Sequence, residues 1–291
     1  SGVAHFMGES EEEVLMGIRE LLSFLPSNNL EDAPVVHTTD DIRREDERLQ
    51  TLIPADPNVP YDVKEVIGSV VDDHYFLEVM PHFAKNVVIG FARLGGHSVG
   101  IVANQPAFLA GVLDIDASDK AARFIRFCDA FNIPVLTLVN VKGYKAKMCS
   151  ERRIAKAAAR LTYAYANASV PKVTVIVKEA FGSAYLTMGS KSIGADVVYA
   201  WPGAVIGMMN PSEAVKIMYA KEIAASGDAA ALINEKTAEY TALQSSAVAA
   251  AKRGYVDDII KAGETRQRVI AAFEMLFTKR EDRPSKKHGT V

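Results

Sequence analysis

The sequence predicts an α/β protein whose sheet is mostly parallel, and three observations predict it. Pro134 to Val139 and Val173 to Val177 are short apolar runs with the composition of strands buried on both faces. Longer stretches between such runs carry apolar residues at helical spacing instead. From about residue 87 onward the two patterns alternate in the rhythm of strand and helix.

The first element is a helix opened by a capping box, Ser10 with Glu13, in which each side chain satisfies a free backbone amide. Val14, Ile18, Leu21, Leu22 and Leu25 fall on one face, and Pro26 ends it. Residues 26–60 hold five of the twelve prolines, with Asn28-Asn29 and the charged stretch Asp40 to Arg48, and read as a long irregular connection. A short helix spans Asp62 to Val71. Val87 to Leu94 and Ser98 to Ala103 form a hairpin at Gly95-Gly96, a turn that wants positive φ. The run Asp116 to Asp119 caps a helix whose Ala121, Phe124, Ile125 and Cys128 face inward. After the strand ending at Val139 comes a helix from Glu151 to Ala168, with Ile154, Ala158, Leu161 and Tyr165 on one stripe. The strand Val173 to Val177 leads into the turn Phe181-Gly182-Ser183-Ala184 and a short helical run. Asp196 to Trp201 and Val205 to Met209 are strands, helices resume at Pro211, and Glu264 to Phe277 is a closing amphipathic helix before a mixed-charge tail.

Thirty-three Lys and Arg against thirty-six Asp and Glu leave a net charge of −3, which excludes a disordered chain and a nucleic-acid-binding coat. A chain of 291 residues buries roughly 75% of its unfolded surface and needs no disulfide or metal to fold. Cys128, Cys149 and the six histidines show no zinc spacing and no disulfide framework, a usage that fits a reducing cytoplasm. Leu94 to Leu113 is long enough to suggest a membrane span, but its glycines, Asn104, Gln105 and Pro106 read as buried strands and turns. The chain opens on Ser1-Gly2-Val3 and not on Met, which reads as the cut end of something longer.

No P-loop, Rossmann fingerprint or Ser-His-Asp order is present. Gly95-Gly96 lies between two strands and serves a turn, and Asp114 and Asp116 stand where helix capping uses them. Two features rise above this background. In the turn Gly182-Ser183-Ala184, small residues leave backbone amides free at a helix start, where an oxyanion can be held by main-chain donors alone. A turn that merely needs small residues explains the same composition. The second feature is Lys142 to Arg160, with seven basic residues against Glu151 alone. Arg152, Arg153, Lys156 and Arg160 lie opposite the apolar stripe and read as a solvated face, while Lys142, Lys145 and Lys147 precede the helix. Phosphates, an acidic partner protein or water alone are all consistent with them.

Longer motifs carry a resemblance. Phe127-Cys128-Asp129-Ala130-Phe131-Asn132-Ile133-Pro134, Tyr163-Ala164-Tyr165-Ala166, Val170-Pro171-Lys172-Val173-Thr174 and Gly189-Ser190-Lys191 resemble the carboxyltransferase subunits of biotin-dependent acyl-CoA carboxylases. So do Gly194-Ala195-Asp196-Val197, Trp201-Pro202, Gly100-Ile101-Val102-Ala103-Asn104-Gln105-Pro106 and Leu25-Pro26-Ser27-Asn28-Asn29. The likeness is greatest to the propionyl-CoA carboxylase β and methylmalonyl-CoA decarboxylase α types. It implies a ClpP/crotonase-like fold of repeated β-β-α units. Residues 1–61 would be an interdomain segment, the tail of an absent N-terminal domain followed by a helix and Pro-rich connection, and 62–291 the C-terminal carboxyltransferase domain.

The resemblance implies carboxyl transfer between carboxybiotin on a separate carrier protein or domain and a small acyl-CoA substrate. Biotin itself is the base in that chemistry, so no catalytic dyad is needed, and the protein supplies position and oxyanion donors. It places the catalytic group at Gly182, Ser183 and Ala184, with Ser183 and Ala184 matching the family's Gly-Ala donor pair, and cofactor contacts at Gly143, Tyr144 and Leu186. No metal is implied. The partners implied are a biotin carboxyl carrier protein, the N-terminal carboxyltransferase domain, further copies in a homotrimer or hexamer, and a membrane subunit if the parent is a decarboxylase. The setting is cytoplasmic. This sequence departs from the family at three places. Val141-Lys142-Gly143-Tyr144 stands for Val-Pro-Gly-Phe and lacks the glycine-rich loop that comes next in relatives. Ser183 replaces a donor Gly, and Leu186 stands where propionyl-type members have Asp. Two other readings stay open. One is a biotin-independent crotonase-type hydratase or thioesterase, against which counts the lack of a catalytic Glu beside the Gly182 turn. The other is a non-catalytic oligomerisation half.

Overall fold

The computed structural model describes residues 2–28, 31–56 and 59–282, with backbone only at 148–150. Asn29 of the Leu25–Asn29 motif and most of the charged tail lie outside the described residues. Among the described residues, eight strands form one sheet: β1 (Phe76–Val79), β2 (Val87–Leu94), β3 (His97–Asn104), β4 (Val135–Val141), β5 (Lys172–Phe181), β6 (Val197–Ala200), β7 (Val205–Gly207) and β8 (Asp258–Ile259). They lie in the order β1-β2-β3-β4-β5-β6-β8, with β7 beside the end of β5. β1, β2 and β3 are antiparallel, and from β3 onward every ladder is parallel. The hairpin turns where expected, with φ +60° at Gly95 and +82° at Gly96.

Both faces of the sheet are covered, which is why its strands read as unbroken apolar runs. Val135, Val139 and Val141 of β4 face a core shared with α4 (Ile115–Ala130) and α5 (Met148–Asn167). Leu136 and Leu138 face a second core built with α3 (Val63–Val70) and, near the chain end, the helix at Thr265–Leu276. In α4, Ala121, Phe124, Ile125 and Cys128 are all buried, as their spacing requires, and burial pushes the Cys128 thiol up. Its cap is Asp114, whose carboxylate accepts from the Ala117 amide at 3.0 Å; Asp116 lies inside the first turn. The stop at Asp114 comes from chain direction, because the residue before the first helical φ/ψ is the one whose side chain reaches the free amides.

Three expectations need correcting. Helix α1 (Glu11–Ser23) is capped by Ser10, but Glu13 accepts from the Glu9 amide at 2.7 Å, one residue earlier than a capping box has it. Leu25 lies beyond its end, and no residue of α1 is buried. The irregular connection contains a further short helix, α2 (Leu49–Leu52), whose Leu49 is buried. Strand β1 carries no clear alternation and was not expected.

The charged stretch Asp40 to Arg48 is fastened to the body by ion pairs. Arg266, 1% exposed, meets Asp72 at 2.8 Å and Asp40 at 3.6 Å, and its guanidinium also donates to the Val70 carbonyl at 2.9 Å. Arg44 bonds Asp40 through two nitrogens, at 2.7 and 3.0 Å. Asp72 in turn accepts from both hairpin amides, Gly95 at 3.0 Å and Gly96 at 2.7 Å. Buried charges survive only with partners on all sides, and here these partners come from four separate segments of chain.

The remaining helices are α6 (Gly182–Thr187), α7 (Pro211–Met218), α8 (Ala220–Ala225), α9 (Ala229–Tyr240), α10 (Ala247–Lys252) and α11 (Thr265–Leu276). Among the described residues no helix is long and apolar enough to cross a membrane, and no group of three His, Cys, Asp or Glu is placed to hold a metal ion.

Candidate active site

Three parallel strands, β3, β4 and β5, end side by side, and their C-terminal edge is where α/β sheets present their binding residues. Asparagine side chains space these ends. The Asn140 amide donates to Asn104 Oδ1 at 3.2 Å, and the Glu179 amide donates to Asn140 Oδ1 at 3.2 Å. In both bonds a side-chain oxygen stands in for a strand carbonyl. The β4–β5 register slips accordingly: Val139 faces Ile176 but Val141 faces Ala180. A bulge of this kind turns the end of a strand and re-aims the next residues.

Strand β5 runs directly into the turn Phe181-Gly182-Ser183-Ala184. Phe181 is extended, Gly182 has φ +60°, and α6 begins at once. A Cβ on Gly182 would stand 2.9 Å from the Met208 carbonyl oxygen, so both the backbone conformation and the close approach of the segment after β7 demand glycine. As first-turn residues, Ser183 and Ala184 have amides with no carbonyl partner inside α6, and they donate to no other acceptor among the described residues. The Ser183 side chain is exposed, while Ala184 is buried and anchors the turn.

Strand β4 gives way to the loop of Gly143 and Tyr144. Gly143, half-buried, accepts the Leu113 amide at 3.0 Å, and Leu113 accepts the Lys145 amide at 2.7 Å. Tyr144 Oη lies 2.7 Å from Thr187 Oγ1, and Thr187 donates its hydroxyl proton to the Ala184 carbonyl at 3.0 Å. With that proton committed, the phenol of Tyr144 must be the donor in the shorter bond. Burial pushes the Tyr144 phenol up. Tyr144, Thr187 and Ala184 therefore form one chain of hydrogen bonds between the two strand ends. Leu186 is 41% exposed on α6, beside this turn. Gly143, Tyr144, Gly182, Ser183, Ala184 and Leu186 thus come together on one edge of the sheet.

Sequence reasoning missed the polar cluster beneath them. The Glu179 carboxylate, 6% exposed, lies 3.5 Å from Lys142 Nζ. Asn140 Nδ2 donates to Tyr61 Oη at 3.0 Å, and the Tyr61 phenol is pushed up by burial. Lys178 donates to the carbonyls of Pro54 and Asp56, and burial draws its ammonium down. Tyr61, Asn140, Lys142 and Lys178 border a cavity of about 30 Å³, room for a water molecule and little more. Asn140 inside an apolar run was the available signal. The larger cavity, about 650 Å³, lies at the opposite ends of the strands, among His97, Ser98, Pro134, Pro171 and Phe273, and takes no part in this arrangement. Arg160, expected on a solvated face, is bonded to Asp119 of α4 at 3.1 Å, while Arg152, Arg153 and Lys156 are exposed.

The whole chain, residues 1–291, matches the carboxyl transferase domain. The chain belongs to that family. This carboxyl transferase domain is 50% identical to the carboxyltransferase subunit of propionyl-CoA carboxylase from Haloferax mediterranei, over all of this chain and 57% of that protein. It is 49% identical to the methylmalonyl-CoA decarboxylase α subunit of Veillonella parvula, over all of this chain and 56% of that one. The crystal structure of transcarboxylase 12S, a hexamer with methylmalonyl-coenzyme A and methylmalonic acid bound, superposes with a TM-score of 0.94 at 44% identity. That match covers 98% of this chain and 55% of the other. The carboxyl transferase domain therefore has the crotonase-like fold, and it spans a little over half the length of the relatives it matches.

Proposed function

We propose that this chain is the biotin-facing half of a carboxyltransferase that moves a carboxyl group between carboxybiotin on a carrier and a small acyl-CoA. The observation that carries the reading is the glycine-dependent turn after β5, where two adjacent first-turn amides have no acceptor among the described residues. Such a pair fits a carbonyl oxygen that gains negative charge, as the ureido oxygen of biotin does. Bound biotin would supply the transferable carboxyl group and a ureido nitrogen as base. In the net exchange the acyl α-carbon gives up a proton and gains the carboxyl group, and biotin takes the proton.

The chain's own contribution is positional. Ser183 and Ala184 would hold the oxygen through their amides, Gly182 lets the strand bend sharply enough to present them, and Gly143 and Tyr144 would wall the biotin side. Leu186 would border the acyl group with apolar surface. Glu179, the carboxylate nearest the turn in sequence, is buried against Lys142, an arrangement that favours transfer without a protein base over a hydratase. Residues 1–61 are assigned to the connection from a preceding acyl-CoA-binding domain, and 62–291 to the second domain. On the same reading the intact protein works in the cytoplasm as a trimer or hexamer with a biotin carrier, and with a membrane subunit if it decarboxylates. In the full-length protein, Ala184→Pro removes one donor and should lower the rate of carboxyl transfer ~10²–10³-fold with the fold retained. Near-normal turnover by a correctly folded variant overturns the assignment.

A further inference from the structure

The basic run before and within α5 has a placement that a solvated helix face does not need. Both α4 and α5 run antiparallel to the parallel strands, so they lie side by side in the same direction. Their cross-link is the bond from Arg160 to Asp119, twelve residues into α5 but only four into α4. At 1.5 Å per residue, α5 therefore begins roughly 12 Å further out than α4, beyond the edge that carries the Gly143–Tyr144 loop. Burial agrees. Residues 151, 152, 153, 155 and 156 are exposed, and Ala157 is the first buried residue of α5 among those described.

This overhang carries Arg152, Arg153 and Lys156 against Glu151 alone. None of the three cations makes an ion pair or side-chain hydrogen bond among the described residues. They fall in the second and third turns of α5, past the Glu151 of the first turn. The last turn, where cations would help, has none. The chain as a whole is acidic, with a net charge of −3, so the patch is a local reversal of sign.

We propose that the overhanging turns of α5 are the docking surface for an acidic protein domain that carries the biotin. The inference rests on the carboxyltransferase reading, and it adds the surface and the charge of the partner. An acidic domain is favoured over a single phosphate group because the three cations are exposed and spread over more than one turn. A phosphate site would converge on one anion with buried donors. Docking here sets a carrier next to the loop through which its biotin must pass, and like-charged surfaces elsewhere on the molecule turn it away.

The test uses the full-length protein with Arg152→Glu, Arg153→Glu and Lys156→Glu combined, its fold checked by thermal melting. Carboxyl transfer from methylmalonyl-CoA is followed to free biotin and to biotin on an acidic carrier domain, and that domain is also titrated onto the protein by calorimetry at low and high salt. The variant should raise the KM for the carrier and weaken its binding about tenfold or more at low salt, and flatten the salt dependence. The KM values for free biotin and for methylmalonyl-CoA should not move. An equal rise for free biotin means the cations shape the site itself, and a rise for methylmalonyl-CoA means they meet its phosphates. Either result, or unchanged carrier binding, overturns the proposal. If the unaltered protein transfers carboxyl groups to neither acceptor, the functional reading fails, while the calorimetric titration still decides the docking.

Discussion

Gly182→Ala tests whether the turn after β5 is held as tightly as its geometry implies. At φ +60° an alanine bears the left-handed penalty, about 1–2 kcal/mol. Its Cβ would also stand 2.9 Å from the Met208 carbonyl oxygen, several tenths of an ångström inside ordinary contact. Met208 comes directly after β7, whose Gly207 is paired with Phe181, so relief means opening that ladder or rotating the turn. Together these effects should cost about 2–3 kcal/mol. In urea, with a slope of about 2–3 kcal/mol per molar, the midpoint should fall by about 1 M.

Gly203→Ala is the control: its Cβ would meet nothing within 4 Å and its φ is not positive, so its stability should stay within about 0.5 kcal/mol of the parent. In the full-length protein, Gly182→Ala should also slow carboxyl transfer about 100-fold, because an ångström of displacement at positioned donors costs that much. Equal midpoints for the two variants would refute the strained-turn argument. A lowered midpoint with full activity would separate the turn's stability from its use.

The ion network and the hydrogen-bond chain lead to two further outcomes. The bond from Arg44 holds the Asp40 carboxyl at about 2, below its ordinary 3.8, so its stabilisation is complete above pH 4 and lost as pH falls toward 2. Asp40→Asn should remove about 2 kcal/mol at pH 7 and flatten the acid limb of the stability curve measured by urea unfolding; an unchanged limb counts against the network. Thr187→Val removes the acceptor of the half-buried Tyr144 hydroxyl and should cost about 1–2 kcal/mol, whereas Tyr144→Phe with Thr187→Val should cost less than the two singles summed. Additive losses in the double-mutant cycle would mean that the Tyr144–Thr187 bond contributes nothing.

The order of elements was legible because a sheet covered on both faces leaves unbroken apolar runs, and its helices leave stripes. The turn at Gly182 was legible from its small residues, although composition alone did not separate an anion-binding turn from a tight one. Less legible was whatever depends on partners distant in sequence. Asp40 and Arg44 read as a charged, irregular stretch, and nothing local shows that Arg266, more than 200 positions away, will neutralise it. Asn140 interrupts a strand pattern without saying that its oxygen replaces a carbonyl. The short β1 reads as nothing until β2 gives it a ladder.

The grouping on the sheet edge also says what kind of damage should matter there. Gly143, Gly182, Ala184 and Leu186 have no titrating group, Ser183 and Thr187 do not ionise near neutrality, and burial pushes the Tyr144 phenol above its ordinary value. The one carboxylate close by in sequence, Glu179, sits below the surface with Lys142. On the proposed reading, a site with this inventory would act through the positions of backbone donors, and those positions are set by their neighbours: the asparagine spacers, the β5 bulge and the Tyr144–Thr187–Ala184 chain. Substitutions that shift these supports should therefore impair the turn as much as substitutions within it. Exposed changes that alter only charge should leave the turn intact and act, if at all, on the molecules that arrive there.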